Sequence, residues 1–341
     1  MRIHRGWTAP RAQGSALTGG ALTGCALTIG NFDGVHRGHQ AMLALLTSEA
    51  RHRGLPSCVL TFEPHPRDHF ARRAGRPETA PMRIATLRDK LAELERCGID
   101  EVVVAPFNDA FAAMPPQAFI AEVLQRGLRA RYVLVGDDFS FGAKRAGNYA
   151  MLDAAGAAAQ EQDSFDVARM MSYEVHGLRV SSSAVRAALA AGDMRQTEAL
   201  LGRPYSISGH VVHGQKLGRE LGFRTINLRF GHPRPAASGI FVVQVHGLGE
   251  TPLPGVASLG TRPTVEDGGR VLLETHCLQW PLAADAGYGR CVRVELLHKL
   301  HDELKYEGLD ALRAGIARDT ADALAWWAAR GAGSAGSGTK A

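Results

Sequence analysis

Long apolar runs are missing from this chain of 341 residues. No stretch approaches the roughly 20 residues that a membrane-spanning helix requires, so no membrane partner is expected. Cysteine is also sparse: the five, Cys25, Cys58, Cys97, Cys277 and Cys291, are scattered and never in Cys-x-x-Cys spacing. That distribution argues against a disulfide framework and against a zinc knuckle. Runs of Lys and Arg are lacking as well, and the formal charge of +5 is modest for this length. Such a balance suits anionic small molecules better than nucleic acid, and no nucleic-acid partner is expected. The N-terminus carries arginines but no apolar signal-peptide core ahead of a cleavage site, which makes the cytoplasm the expected location.

The composition that remains, 45% hydrophobic and 21% charged, is that of an ordinary globular protein, and the length suggests two domains. One stretch stands out. Gly30-Asn31-Phe32-Asp33-Gly34-Val35-His36-Arg37-Gly38-His39 lies between the apolar run Ala26–Ile29 and the helical pattern Ala41–Leu46. It reads as strand, tight turn and helix start, where free backbone N–H groups and the helix dipole favour phosphate. His36 and His39 add side-chain donors, and Gly38 allows close approach to the backbone. A His-x-x-His pair can also hold a metal, but zinc needs further ligands and no cysteine lies near in sequence. A purely structural turn is the other alternative; phosphate binding is the favoured reading.

From 25 to 190, apolar runs alternate with helical patterns. The runs are Cys25–Ile29, Cys58–Phe62, Val102–Ala105, Tyr132–Val135 and Val167–Met170; helices are predicted near 39–53, 85–97 and 115–127. This alternation predicts an α/β domain with a parallel sheet, whose ligands lie beyond the carboxyl ends of the strands. Three polar motifs fall there: the histidine turn, Thr61-Phe62-Glu63-Pro64-His65-Pro66, and Gly136-Asp137-Asp138-Phe139. Near 181, Ser181-Ser182-Ser183 opens another helix. It serves equally well as an N-cap or, with Arg186 one turn in, as a phosphate clamp.

The pattern changes after Pro204. Gly209–Val212, Ile240–Val245, Val256–Leu259, Val271–Cys277 and Val292–Leu297 are strand-like, and helical periodicity returns at 308–328. Short strands at this density suggest a small antiparallel barrel. Gly209 to Lys216 nearly imitates a Walker A loop, but the lysine is displaced and Leu217 stands where a Mg²⁺-binding hydroxyl belongs. Gly214 and Gly218 suggest a flap over a ligand instead. Thr225 and Asn227 share one face of an extended run, offering either Mg²⁺ ligands or a hydrogen-bonded edge. Glu274 sits inside an apolar strand, where a carboxylate either meets solvent or lines a pocket as a base. Residues 14–30 carry three copies of Ala-Leu-Thr: the first two, each followed by Gly, read as a loop insertion and the third as the first strand; 331–341 read as a flexible tail.

Taken together, these motifs resemble the bacterial bifunctional riboflavin kinase/FAD synthetases over about 25–325. The histidine turn, Thr61–Pro66, Val135–Phe139 and Val180–Arg186 match the family's nucleotidyltransferase half. Leu217–Phe223 leading into Thr225-Ile226-Asn227, Gly260–Thr264 and Leu273–His276 match its kinase half. The resemblance implies a Rossmann-like nucleotidyltransferase domain followed by a small antiparallel β-barrel kinase domain with a C-terminal helix. The expected organisation is a segment 1–24 with the insertion, an FMN adenylyltransferase domain 25–190, a linker 191–206, a riboflavin kinase domain 207–330 and the tail.

Two reactions are implied: the γ-phosphoryl of ATP passes to riboflavin to give FMN, and AMP from a second ATP passes to FMN to give FAD and pyrophosphate. His36, His39, Asn31, Asp33, Gly38, Ser182, Ser183 and Arg186 would hold the adenylyltransferase ATP. Phe62, Asp138 and Phe141 would contact the flavin. Gly214, Gly218, Thr225 and Asn227 would hold the kinase ATP, the last two with Mg²⁺, and Glu274 would be the base. Apo-flavoproteins are the expected recipients of the products. Four residues depart from the family's pattern: Arg224 replaces proline before Thr225, Gln279 an acidic residue, His301 an arginine and Ser140 an arginine.

Overall fold

A computed structural model describes residues 1–7, 24–160, 163–171, 173–175, 178–213, 222–232, 234–261, 271–280 and 287–335. Most of the repeat at 14–24, both flap glycines Gly214 and Gly218, and Arg262–Thr264 lie outside the described residues. The chain divides into two compact units: Met1–Pro81 with Lys90–Val180, and Met82–Asp89 with Ser181–Ala341.

The first unit is built on a six-stranded sheet: β1 (Arg2–Arg5), β2 (Cys25–Ile29), β3 (Ser57–Glu63), β4 (Glu101–Pro106), β5 (Ala130–Gly136) and β6 (Asp166–Met170). The order is β1-β4-β3-β2-β5-β6, and every pairing is parallel. All five residues of β2 are buried, as expected of a central parallel strand covered on both faces. Helices α1 (Arg37–His52) and α3 (Leu87–Arg96) stand where helices were predicted near 39–53 and 85–97, and a further helix, α2 (Pro66–Arg73), begins at Pro66 with His65 as its cap. The helix near 115–127 is present but irregular: after the short α4 (Asp109–Ala112), α5 (Pro116–Ala118) runs into a π-helical stretch over Phe119–Gly127. Helix α6 (Tyr149–Ala158) and a small antiparallel pair, β7 (Glu174–Val175) and β8 (Leu178–Arg179), complete the unit. Strand β1 was not apparent in the sequence. Ile3 is its lone apolar residue and is half exposed; the strand is held by backbone pairing to β4 and by Arg2 and His4 beside the buried Glu101 carboxylate.

The second unit opens with two helices, α7 (Ser182–Ala191) and α8 (Met194–Leu201). The expected linker at 191–206 is therefore mostly ordered helix: the Asp193 carboxylate caps α8, and Thr197, Leu200 and Leu201 are buried. Six antiparallel strands follow: β9 (Tyr205–His210), β10 (Thr225–Arg229), β11 (Gly239–His246), β12 (Leu253–Thr261), β13 (Val271–Cys277) and β14 (Cys291–His301). Their order is β10-β13-β12-β11-β14-β9, and an antiparallel bridge from Val212 to Asn227 nearly closes the sheet into a barrel. Along β13, Val271, Leu273, Thr275 and Cys277 are buried in the barrel while Leu272, Glu274 and His276 face outward. The C-terminal helix α9 (Leu309–Ala335) covers part of the outer face, packing Ala323, Trp326 and Trp327 against Val242 and Val256. This helix runs into the stretch expected as a flexible tail, through Ala335.

The segment Met82–Asp89 is the largest departure from the expected boundaries. It lies between elements of the first unit in sequence but packs with the second. Arg83 exchanges backbone hydrogen bonds with Arg234 and Ala236, Ser208 N–H donates to the Asp89 carboxylate at 3.0 Å, and Arg186 Nε donates to Met82 O at 2.6 Å. Burial pushes the Asp89 carboxyl above its usual range, against the opposing effect of hydrogen bonds from Thr86 and Ser208.

Candidate active sites

In the first unit, β2 lies between β3 and β5, so successive connections depart from it in opposite directions. This is the topological switch point of a doubly wound sheet, where a crevice opens beyond the strand ends. The turn after β2 and the Gly136–Asp138 turn after β5 flank that crevice. The Asp138 carboxylate is exposed and folds back over Gly136: a Cβ on Gly136 would lie 3.6 Å from Asp138 Oδ1 and 3.7 Å from Met42 Cε. Met42 is one turn along α1 from His39, so Asp138 stands beside the face that carries this histidine.

The histidine turn has an unusual backbone. Phe32 (φ 48°), Gly34 (φ 84°) and Val35 (φ 39°) all adopt left-handed conformations. For β-branched Val35 this costs on the order of 1–3 kcal/mol, and such strain persists only where surroundings impose it. Phe32 and Val35 are fully enclosed, which supplies that constraint. The turn delivers the chain into α1, where His36 is the N-cap and its Nδ1 accepts the His39 N–H at 3.3 Å. The two imidazoles stack with centroids 3.6 Å apart. A Cβ on Gly38 would stand 3.3 Å from both the His36 ring and Val180 O. A methyl there would require the His36 ring or Val180 O to give by a few tenths of an ångström, so glycine eases the packing of the His36 ring as well.

His39 is held well below the ordinary imidazole range, first by burial and then by the nearby charges of His36 and Lys90. Its ring nitrogen Nδ1 and the Asn31 side-chain oxygen are both enclosed and lack hydrogen-bond partners. Two orphaned polar atoms on one short turn are a mark of a polar ligand site. Asp33 is buried in the same turn.

Phe62, at the end of β3, is half-buried, with Phe107 and Phe111 at centroid distances of 5.8 and 5.5 Å. Phe141 departs from expectation: it is 7% exposed and packs in the core against Phe119 and Phe139, which leaves it no surface for a flavin ring. Ser182, Ser183 and Arg186 belong to the second unit. There Ser181 caps α7 by accepting the Ala184 N–H at 3.2 Å, so the capping alternative for the serine run is realised.

In the second unit, Asn227 and Glu274 are direct partners across β10 and β13, Thr225 pairs with His276, and Ser258 pairs with Glu274 from β12. Partners in register share a face, so Thr225, Asn227, Glu274 and Ser258 converge on the outer side of the barrel. The Asn227 side-chain oxygen is buried without a hydrogen-bond partner. Ser258 donates to Glu303 at 3.2 Å, bringing a further carboxylate to this face. Arg224 contributes its carbonyl, which meets His276 Nδ1 at 2.8 Å. Neither Ser258 nor Glu303 was singled out from sequence, because their relation to Glu274 exists only through strand pairing.

Two family models match the chain: one described as FAD synthetase over residues 20–184, and one described as riboflavin kinase over residues 201–327. A bifunctional riboflavin kinase/FMN adenylyltransferase from Escherichia coli K12 is 47% identical over 296 residues, spanning 87% of this chain and 90% of that protein. The chain belongs to the bifunctional riboflavin kinase/FMN adenylyltransferase family. Proteins of the same description from Pseudomonas fluorescens and Haemophilus influenzae are 43% and 41% identical, over 89% and 90% of this chain and 93% and 95% of their own lengths. A crystal structure described as a macrolide-efflux protein from Streptococcus pneumoniae superposes with a TM-score of 0.64 at 25% identity, covering 87% of this chain and 92% of that one. It shares the fold; efflux is said of that protein alone.

The FAD synthetase match contains the histidine turn and the switch point, and the riboflavin kinase match contains the Asn227–Glu274 face and α9. Among the described residues no helix is long and apolar enough to cross a membrane, and no cluster of His, Cys, Asp and Glu has the makings of a metal site.

Proposed function

We propose that the two activities of this family, which make FMN and FAD from riboflavin with ATP, are divided between the switch-point turn and the outer face of the barrel. At the turn, Asn31, Asp33, Gly38 and His39 receive the triphosphate of ATP, with His36 holding the helix start in place. Ser182, Ser183 and Arg186 are the further phosphate-binding residues that the family resemblance implies. Asp138 and Phe62 orient FMN, whose phosphate oxygen attacks the α-phosphorus and displaces pyrophosphate. Such transfers depend on positioning and charge neutralisation, and the strained, over-constrained turn supplies positioning. His39 donates or accepts as a neutral imidazole, in keeping with its lowered pKa.

At the barrel face, Glu274 takes the proton from the ribityl hydroxyl of riboflavin as that oxygen attacks the γ-phosphorus, leaving ADP. Thr225 and Asn227 fit a hard cation, since both offer neutral oxygen and that of Asn227 is buried without another partner. Mg²⁺ held there would neutralise phosphate charge. The products pass to apo-flavoproteins in the cytoplasm.

The observation that carries this reading is the strand register, in which Glu274 pairs directly with Asn227 within the riboflavin kinase match. Incubation with riboflavin, ATP and Mg²⁺, with flavins separated over time, tests it. FMN appearing first and FAD following is expected. FAD without an FMN intermediate, or no dependence on Mg²⁺, would overturn the division.

A further inference from the structure

Lys90 is among the largest fully buried side chains, 1% exposed, on a helix whose apolar stripe is Leu87, Leu91 and Leu94. A lysine is almost never enclosed to this degree without a defined partner, since removing an ammonium from water is costly. Its Nζ donates to Thr61 Oγ1 at 3.2 Å, and Thr61 Oγ1 in turn donates to Asn31 O at 3.2 Å. A hydroxyl has one proton to give and lone pairs to receive, so both bonds run in one direction: ammonium to hydroxyl to carbonyl. Bonds aligned this way polarise one another. The chain ends on the residue that begins the strained turn, one position before left-handed Phe32.

We propose that Lys90 is a positioning residue for adenylyl transfer: acting through Thr61 it locks the Asn31 carbonyl and hence the phosphate-binding turn, and its enclosed charge adds a positive field beneath the triphosphate. This rests on the assignment of the turn to ATP. Two observations set it apart from a general packing role. A leucine would fill the stripe without desolvating a charge, and a neutral side chain would not act on His39. The charges acting on that imidazole are His36 from its own turn and Lys90 from α3.

The test uses the full-length chain with FMN and ATP, and riboflavin phosphorylation in the same preparation as an internal measure of folding. Lys90→Met is expected to lower kcat/KM for ATP in FAD formation about tenfold or more while leaving FMN formation within about twofold. Lys90→Gln keeps a hydrogen bond to Thr61 without the charge and is expected to recover part of that loss. In both variants the acid limb of the FAD-forming pH profile should move to higher pH, because a cation that lowers the His39 pKa is gone. Unchanged kcat/KM and an unmoved acid limb in either folded variant would overturn the proposal. His39→Ala separates the two levels of the argument. If that variant forms FAD at the parent rate, the assignment of the turn has failed. If it is inactive while Lys90→Met and Lys90→Gln match the parent, the Lys90 role alone has failed. Should Lys90→Met lose both activities, Lys90→Gln decides by the same criteria.

Discussion

At the scale of the residue, the two proposed sites rely on opposite physical devices. Glu274 stands on the outer face of a strand, and its use as a base requires an ionised carboxylate within reach of a hydroxyl. Glu274→Gln keeps shape and strand pairing but removes the proton acceptor, so FMN formation is expected to fall by about 10²–10⁴-fold. FAD formation from supplied FMN should be retained; equal loss of both in a flavin time course would contradict separate sites. The histidine turn instead depends on close packing. Gly38→Ala would press a methyl against the His36 ring and Val180 O, each at 3.3 Å. Because neither neighbour is the free end of a flexible chain, FAD formation is expected to drop at least severalfold while riboflavin phosphorylation persists. Parent-like FAD synthesis would show that the turn tolerates displacement of His36.

His39 also imposes a pH dependence on stability. Its folded pKa is lowered, by burial and then by His36 and Lys90, so protonation favours the unfolded chain. The resulting stability is present above the unfolded value of roughly 6.5 and is lost as pH falls below it. Denaturant midpoints of the first unit between about pH 7 and 5 should decline in the parent and decline less in His39→Ala, by this linkage.

At the scale of the element, α9 is tied to the barrel by packing and by one polar pair. His301, at the end of β14, meets Asp319 Oδ1 through Nε2 at 2.9 Å and the Asp302 carbonyl through Nδ1 at 2.7 Å. Burial acts to lower the His301 pKa, but the hydrogen bonds and the Asp319 and Asp322 charges outweigh it, and the net shift is upward. The sign is therefore the reverse of His39: the contribution is full below the unfolded value of roughly 6.5 and lost as pH rises through the folded value. Unfolding of the second unit followed by tryptophan fluorescence should show stability falling between about pH 6 and 8, and the slope should flatten in His301→Asn. An arginine at this position would make the tie insensitive to pH in the same range.

The elements also show which local signals suffice. The strands β2 to β6 and α1 were legible because buried runs and Gly-rich turns bound them sharply. Strand β1 was not, since Arg2-Ile3-His4-Arg5 has no apolar periodicity and forms through pairing to β4 and the Glu101 carboxylate. Helix α8 was read as linker although its residues are mostly good helix formers, because it spans only eight residues between Gly192 and Gly202 and its burial is tertiary.

At the scale of the whole molecule, the chain does not divide at a single point. Met82–Asp89 supplies the second unit with backbone partners for Arg234 and Ala236, an acceptor for Ser208 N–H and a carbonyl for Arg186. A chain beginning at Ser181 would lose all of these. With about 0.5–1.5 kcal/mol for each of these four hydrogen bonds, the barrel is expected to be destabilised by roughly 2–6 kcal/mol. A chemical-denaturation comparison of this fragment with the second-unit transition of the full chain measures it. Equal midpoints would mean that the segment contributes nothing to the barrel.

The sequence by itself determined the α/β unit before the barrel, the tight turn after the first buried strand, and the polar residues Thr225, Asn227 and Glu274 set among apolar ones on extended runs. These are consequences of local periodicity, turn chemistry and residues out of place in their surroundings. Only tertiary structure decided that Phe141 is core, that Ser181 caps a helix, that Lys90 reaches Asn31 through Thr61, and that 82–89 packs with the barrel. Each of those depends on contacts between residues distant in the chain, which burial and strand pairing create and which no local pattern encodes.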